Sequence, residues 1–505
     1  MGALQLTPVG GARMRGAIIA GDNVVPADVV FDRGSRAAAG LRALGVRAGD
    51  SVAVLVRNDP VFFEAWAAAA GLGAVTVPLN WHLRADEIAY ILADCRARVL
   101  VADPALLRRF DGAATGRLVV TTGREWDRLI GQSLPRARVP SPTAPTLLYT
   151  SGTTGLPKGI RRLPRSAEAA AIYGRISRLV YGIEPGMRTV VAAPLYHSAP
   201  LYHATAALMA GGTLVLQPHF DPAGLLELVE RHQVTNLLVV PTMLRRLLQL
   251  PAAEREGRNL GSLRHVLTGA APAAPDLKGD VIAWLGPILH EYYGATETGI
   301  VTACNSADAL AHPGTVGRAV EGAVVKILDE DGQALGPHQP GDVFALNRGA
   351  ADFVYENMPG ERAAVEIGGL VGCGDVGFLD EEGYLYLLDR RKDMVISGGV
   401  NIFPAEVEAQ LAQMPGVADC AVFGIPDEDY GEALAAAVLP LPGATFNEPE
   451  VIEFLAGRLG RLKVPKLVEI RNALPRDPNG KIMKRVLRAP FWPAASTEDV
   501  ARRTL

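Results

Sequence analysis

Cysteine is scarce in this 505-residue chain: Cys95, Cys304, Cys373 and Cys420 are the only four, and each stands alone. That excludes the paired spacing of a zinc site and the density of a secreted disulfide scaffold, so a reducing, cytoplasmic setting is expected. A surplus of charge is also missing. With 50 Lys+Arg against 54 Asp+Glu the formal net charge is −4, which leaves no electrostatic footprint for nucleic acid or an anionic membrane. Small molecules are the expected partners. No uncharged run reaches the ~18 residues of a transmembrane span; the longest nearly uncharged stretch, Ala65 to Leu79, contains two glycines and reads as a buried helix running into a strand. Near the N-terminus, the basic stretch Gly10 to Arg15 precedes only a short apolar one, Ala17 to Ala20, too short for a signal-peptide core. Internal repeats and low-complexity segments are absent.

The chain does have apolar bulk: 49% hydrophobic against 21% charged residues, enough for several packed lobes. From Val29 to Val101, helix-like stretches (Ala37 to Leu44, Phe62 to Ala70) alternate with β-branched runs (Ser51 to Val56, Ala74 to Val77). The rhythm recurs from Thr189 to Pro241, with strands expected at Thr189 to Ala193, Thr213 to Leu216 and Asn236 to Val240 and a helix at Pro222 to His232. Such alternation indicates βαβ units and a mostly parallel sheet. Beyond about Thr315 the texture changes to short strands with Gly turns, as in Val324 to Leu328 before Asp331-Gly332 and Phe378 to Leu388 around Glu382-Gly383. After Arg391, Pro404 followed by Glu406 and Glu408 announces a helix whose positive end suits both carboxylates. The fold class is α/β: a large N-terminal domain of βαβ-type sheets covered by helices plus a small β-rich lobe, then a small α+β C-terminal domain. The tail after Pro490 reads as a loosely held end.

Leu147-Leu148-Tyr149-Thr150-Ser151-Gly152-Thr153-Thr154-Gly155-Leu156-Pro157-Lys158-Gly159 is an apolar strand feeding a loop of hydroxyls, glycines and one lysine. That composition suits polyphosphate: glycines let backbone N–H groups close on phosphate oxygens, hydroxyls add donors, and Lys158 adds a point charge. The spacing is not that of a Walker loop. Gly372-Cys373-Gly374-Asp375-Val376-Gly377 spells G-x-G-x-x-G, but it runs into a hairpin-like segment instead of opening a helix, so a dinucleotide fold is not expected. Ser397-Gly398-Gly399 lacks side-chain bulk and permits close backbone approach. Asn479-Gly480 should form a tight turn that projects Lys481.

Tyr149 to Gly159 closely resembles the signature loop of the adenylate-forming superfamily, which comprises acyl-CoA synthetases, firefly luciferases and nonribosomal-peptide adenylation domains. The other segments resemble that family's later motifs in the same order, from about Val29 to Arg488. By that resemblance, Thr150, Ser151, Gly152, Thr153, Thr154, Gly155 and Lys158 hold the ATP phosphates. His197, in Ala193-Pro194-Leu195-Tyr196-His197-Ser198, lines the acyl pocket. Gly269-Ala270-Ala271-Pro272 is the adenine-side loop. In Tyr292-Tyr293-Gly294-Ala295-Thr296-Glu297, Tyr292, Tyr293 and Gly294 bind the nucleotide with Tyr293 facing adenine, Thr296 meets the α-phosphate and Glu297 holds Mg²⁺. Asp375 and Arg390 take the ribose hydroxyls, Lys392 is the hinge, Ser397-Gly398-Gly399 faces the pantetheine arm, and Lys481 is the catalytic lysine. Cys373 and Asp389 depart from the family's usual Thr and Gly.

The resemblance implies domains at 1–389 and 393–505 joined by a hinge at 390–392. It also implies ATP, Mg²⁺ and coenzyme A as participants and a small carboxylic acid as substrate, by way of an acyl-adenylate. Met394 to Pro404 and Leu195 to Pro200 look most like bacterial fatty-acid, bile-acid and steroid-acid CoA ligases. Amide-bond synthetases, which pass the acyl group to an amine, are similar and stay open as the alternative. A non-catalytic nucleotide-binding protein is disfavoured, because binding alone would not require Lys481.

Overall fold

A computed structural model describes residues 15–110, 112–114, 116–131, 145–150, 157–271, 273–398, 400–476 and 482–492. The chain packs as two compact units, one of residues 1–325 with 345–373, the other of 326–344 with 374–505. Packing therefore groups 326–344 and 374–389 with the C-terminal part.

The first unit is built on parallel strands. One sheet runs in the order Val75–Pro78, Ser51–Leu55, Ala97–Ala102, Leu118–Thr121, all parallel. A larger sheet has a parallel centre ordered Leu289–Ala295, His265–Gly269, Asn236–Val239, Arg188–Val191, Thr213–Leu216, Ala17–Ala20. The antiparallel strands Gly299–Asn305 and Asn23–Pro26 flank it. The central strands read as continuous β-branched and leucine runs because both faces are covered by helices. The helix Pro60–Leu72 shows how local sequence sets bounds. The Asp59 side chain accepts from the Val61 N–H, Pro60 supplies the first turn, and Gly73 ends the helix at φ 68°. The helix packs against Ala27–Ala43 so closely that a Cβ on Gly34 would lie 2.7 Å from the Ala67 Cβ. Thus the Ala65 to Leu79 run is a buried helix leading into the strand Val75–Pro78. Among the described residues no helix is long and apolar enough to cross a membrane.

Two histidines, His203 buried and His265 partly buried, tie strands to their crossovers. His203 Nε2–H donates to Asn236 Oδ1 at 2.9 Å, and His265 Nε2–H donates to the Val180 carbonyl at 2.8 Å while its ring stacks 4.0 Å from that of His290. Burial holds His203 at about 4; burial first, and then His290 beside it, does the same for His265. Above pH ~6.5 both are neutral whether the chain is folded or not. As pH falls from there towards 4, the unfolded chain binds protons that the folded one refuses, so stability drops by up to about 1.4 kcal/mol per pH unit per histidine. The thermal midpoint is expected to fall between pH 6.5 and 5, with a shallower fall in the His203→Asn, His265→Asn double variant. Parallel pH profiles would contradict this.

The second unit carries a sheet ordered Val400–Ile402, Val395–Ser397, Gly431–Pro440, Val417–Asp427, with Leu467–Ile470 also paired to Gly431–Pro440. Val395, Val407, Leu411, Val422, Leu434, Val451 and Leu455 form its core. Two sequence expectations are corrected here. In the helix Pro404–Leu411, Glu406 sits in the first turn, but Glu408 turns inward, accepting from the Val422 N–H at 2.7 Å and pairing with Lys484 Nζ at 2.9 Å. Tertiary pairing outweighs the helix dipole. Of the tail after Pro490, the first two residues are anchored: Phe491 packs on Phe423 at 6.0 Å between ring centroids, and Trp492 Nε1 donates to the Gly424 carbonyl at 3.0 Å; residues 493–505 lie outside the described residues.

Candidate active site

Three antiparallel strands in the first unit, Leu147–Thr150, Lys158–Arg162 and Phe353–Tyr355, carry the phosphate-loop motif. Thr150 pairs with Lys158 and Tyr149 with Gly159. The hydroxyl and glycine residues Ser151, Gly152, Thr153, Thr154 and Gly155 lie outside the described residues. Lys158 itself belongs to the returning strand, not to the loop as its sequence suggested. A side chain at Gly159 would crowd Tyr149 Cζ at 2.9 Å and Glu356 Cβ at 3.0 Å, which explains a glycine directly after the lysine. Tyr149 is fixed by donating its hydroxyl to Asp94 at 2.6 Å, and burial, with Asp94 second, pushes that hydroxyl's pKa up.

Lys158 Nζ stands 2.7 Å from Glu361 Oε2 and 5.6 Å from the centroid of the Tyr355 ring. The Tyr355 hydroxyl donates to Glu297 Oε1 at 3.1 Å, its pKa raised by burial first and then by Glu297. One aromatic side chain thus bridges the lysine of the first motif and the glutamate of the fourth. Glu361 is 43% exposed and occupies the position from which an anionic ligand would draw Lys158. An exposed pair of this kind contributes at most ~1 kcal/mol, so Glu361→Gln is expected to lower the half-saturating ATP concentration by up to about five-fold. An increase would show that Glu361 helps to bind ATP.

Thr296 and Glu297 sit at the tip of the hairpin formed by Leu289–Ala295 and Gly299–Asn305, where Ala295 pairs with Gly299. The Thr298 hydroxyl closes the turn by accepting from the Ala295 N–H at 3.1 Å. Gly294 must be glycine, since its Cβ would meet the Gly299 carbonyl at 2.0 Å. Alternation along the strand sends Tyr292 and Tyr293 to opposite faces. Tyr292 joins the core, packing against Gly269, whose absent Cβ would lie 2.5 Å from Tyr292 Cε1, and against Tyr181. Tyr293, also buried, takes the other face. Ala270 follows Gly269 at φ 64°, a left-handed conformation costly for a residue with a side chain, ahead of the partly buried Ala271. His197 directly precedes the helix Ser198–Met209, its ring 4.4 Å from that of Tyr196, which stands edge-on to Trp81 at 4.7 Å.

In the second unit, Gly374, Asp375, Val376 and Gly377 lie in the strand Leu370–Leu379, so the G-x-G-x-x-G reading as a dinucleotide turn is excluded. Asp375 pairs in register with Arg390, and Arg390 Nε lies 2.7 Å from Asp375 Oδ1. Lys392 occupies the single 3₁₀ turn Arg391–Asp393. The neighbouring Arg391 pairs with Glu330 at 3.1 Å and Asp342 at 3.6 Å, and the Asp389 carboxylate accepts from the Ala405 N–H at 2.9 Å. Ser397 ends a short strand, and Gly398 turns at φ 57° while donating its N–H to the Tyr430 carbonyl at 2.8 Å. Gly399 and Lys481 lie outside the described residues. Either side of Lys481, Arg476 and Ile482 form an antiparallel bridge, Arg476 pairs with Asp419 at 2.6 Å, and Lys484 is held by Glu408.

Several residues that organise these motifs were not found from sequence. Asn58 is buried; its amide donates to the Val191 and Ala193 carbonyls at 3.0 and 3.1 Å and accepts from the Leu195 N–H at 3.2 Å, pinning the segment that presents His197. Arg161 pairs with Glu356 through two bonds of 2.7 Å, and Arg162 donates to the carbonyls of Thr296, Glu297 and Ala351. The Arg161-Arg162 pair three residues after Lys158 was the one available signal. Their partners lie more than a hundred residues away.

Comparison with known proteins agrees with the order of the motifs. The AMP-binding enzyme family matches residues 28–351, and the AMP-binding enzyme C-terminal domain matches 406–481. Feruloyl-CoA synthase of Amycolatopsis sp. is 36% identical over 91% of this chain and 92% of its own length. ATP-bound MatB from Rhodopseudomonas palustris superposes with a TM-score of 0.86 at 31% identity, covering 96% of this chain and 97% of that one. The amide bond synthetase McbA from Marinactinospora thermotolerans superposes at 0.84 with 29% identity, covering 95% and 98%. With a lysine, a bridging tyrosine and a glutamate brought together in the first unit, and with both family domains matched in order, this chain belongs to the AMP-binding enzymes, the adenylate-forming superfamily.

Proposed function

We propose that this chain is an AMP-forming carboxylic acid–CoA ligase. The observation that carries the reading is the Lys158–Tyr355–Glu297 group, a cation and a carboxylate held together at the base of the phosphate-loop motif. In the first step an acid's carboxylate oxygen bonds to the α-phosphorus of ATP, the bond from that phosphorus to the bridging oxygen breaks, and pyrophosphate leaves. In the second step the CoA sulfur bonds to the acyl carbon, the acyl–oxygen bond breaks, AMP leaves, and the thiol proton passes to solvent.

The obstacle in the first step is the approach of one anion to another. Lys158 exchanges Glu361 for the β- and γ-phosphates, supported by Thr150 and the 151–155 loop. Thr296 donates its hydroxyl to the α-phosphate, Tyr293 and the 269–271 loop flank adenine, and Asp375 with Arg390 takes the ribose hydroxyls. Lys481 places its charge at the attacking and bridging oxygens. The backbone carbonyls of the Thr296-Glu297 turn are occupied by Arg162, which leaves the Glu297 carboxylate as the hard oxygen donor there. One carboxylate fits Mg²⁺, an ion that keeps waters and takes its other ligands from phosphate. When bound, Mg²⁺ supplies charge neutralisation on phosphate oxygens.

For the second step, a domain of residues 393–505 swivels about Lys392 against residues 1–389, withdrawing Lys481 and presenting Ser397-Gly398-Gly399 to the pantetheine arm. His197 and Tyr196 lie on the acyl side. With Trp81 beside them they suit an apolar or aromatic acid, in keeping with the aryl substrate named in feruloyl-CoA synthase. The four cysteines are buried and form no disulfide, which fits a cytoplasmic enzyme. The structural likeness to McbA keeps a second reading, transfer of the acyl group from AMP to an amine. Incubation with ATP, Mg²⁺ and a panel of fatty, aryl and steroid acids, with CoA in one arm and primary amines in the other, separates the two. Thioester formation supports the ligase, and amide formation without CoA replaces it.

A further inference from the structure

Glu297 and Thr296 lie on a hairpin turn, and turns are mobile unless something holds their backbone. Here both of their carbonyls accept from one side chain. Arg162 Nη1 donates to the Glu297 carbonyl at 2.9 Å and also to that of Ala351, while Nη2 donates to that of Thr296. Arg162 ends the strand Lys158–Arg162, and the two-residue period of a strand places it on the same face as Lys158. A single guanidinium therefore joins the lysine strand, the Thr296-Glu297 turn and the 351 segment. Among the described residues Arg162 makes no ion pair. Burial lowers its pKa, with Arg165 nearby adding to the effect, while Tyr173, Glu297 and Asp352 oppose it at a distance. A cation sequestered without a carboxylate costs desolvation energy that a neutral side chain would not incur, so stability alone does not account for it. What arginine offers is a planar fork of five donors that spans several fixed acceptors at once.

We propose that Arg162 is a positioning residue: it locks the Thr296-Glu297 turn to the strand of Lys158, so that the Glu297 carboxylate and the Lys158 ammonium keep the one separation at which they share a magnesium nucleotide. The inference rests on the adenylation reading given above. It goes beyond that reading by assigning the register of the two motifs to a residue that touches neither nucleotide nor acid. Lysine at 162 keeps the charge but cannot span three carbonyls; methionine keeps neither.

The test is ATP–pyrophosphate exchange measured against Mg²⁺ concentration in the full-length wild type, Arg162→Lys and Arg162→Met, with thermal midpoints recorded in parallel. Misplacing a reacting group by about 1 Å costs on the order of 100-fold in rate, and a loss of that size is expected for Arg162→Met. The half-saturating Mg²⁺ concentration should rise several-fold in both variants. Arg162→Lys should melt close to the wild type and still fail to restore the Mg²⁺ dependence, an outcome that a purely structural arginine would not give. If Arg162→Met does not fold, Arg162→Lys carries the decision. Wild-type rate and wild-type Mg²⁺ dependence in a folded variant overturn the assignment. Absence of exchange in the wild type overturns the adenylation reading instead.

Discussion

Lys481→Ala protein is expected to lose ATP–pyrophosphate exchange by about 100- to 1,000-fold, the usual loss on deleting one preorganised charge from a developing anionic centre. The same protein, supplied with acyl-AMP and CoA, should form thioester at nearly the wild-type rate. The asymmetry follows from the chemistry: only the first step brings two anions together, while the second starts from a mixed anhydride with AMP as a good leaving group. The segment carrying Lys481 is tied at both ends, by Arg476–Asp419 before it and Glu408–Lys484 after it. Removing the lysine's amine should thus leave its surroundings intact. Equal loss of both half-reactions would contradict a lysine that serves adenylation alone.

The second large effect concerns stability. Lys278 and Glu291 are 2% and 3% exposed at their side chains, 2.8 Å apart, and Lys278 Nζ also donates to the Thr315 carbonyl at 2.7 Å. Glu291 directly precedes Tyr292 and Tyr293, so this pair braces the strand that ends in the Thr296-Glu297 turn. Breaking a buried pair from one side strands a charge at a cost of ~3–5 kcal/mol, whereas replacing both partners with apolar groups of similar volume is near neutral. Lys278→Met alone is therefore expected to lower the thermal midpoint by several degrees, and the Lys278→Met, Glu291→Leu double variant to recover most of it. A double variant less stable than the single one would show that the pair contributes net stability. In a chain of two packing units, the comparison is best made on the transition that reports the first unit.

Local chemistry was legible in the sequence. The helix Pro222–His232 declares itself through Asp221 capping the Gly224 N–H, Pro222 in its first turn and His232 in its last. The strand Thr213–Leu216 is an unbroken β-branched and leucine run. G-x-G-x-x-G was correctly set aside because the hairpin that follows it is visible in Glu382-Gly383. Pairings set by topology were not legible. Lys158 and Glu361 are separated by 203 residues, Arg161 and Glu356 by 195, and Arg162 and Glu297 by 135. Nothing at either end of such a pair marks its partner, because parallel crossovers bring distant segments together without a local signal. Glu408 illustrates the same limit: a first-turn acid looks like a dipole partner until the fold supplies Lys484.

The most direct trial of the account is exchange of labelled pyrophosphate into ATP by the purified protein, with magnesium and a broad panel of carboxylic acids. Exchange that depends on the acid and disappears when either Lys158 or Lys481 becomes alanine is the predicted result. No exchange with any acid, or exchange indifferent to both lysines, would contradict it.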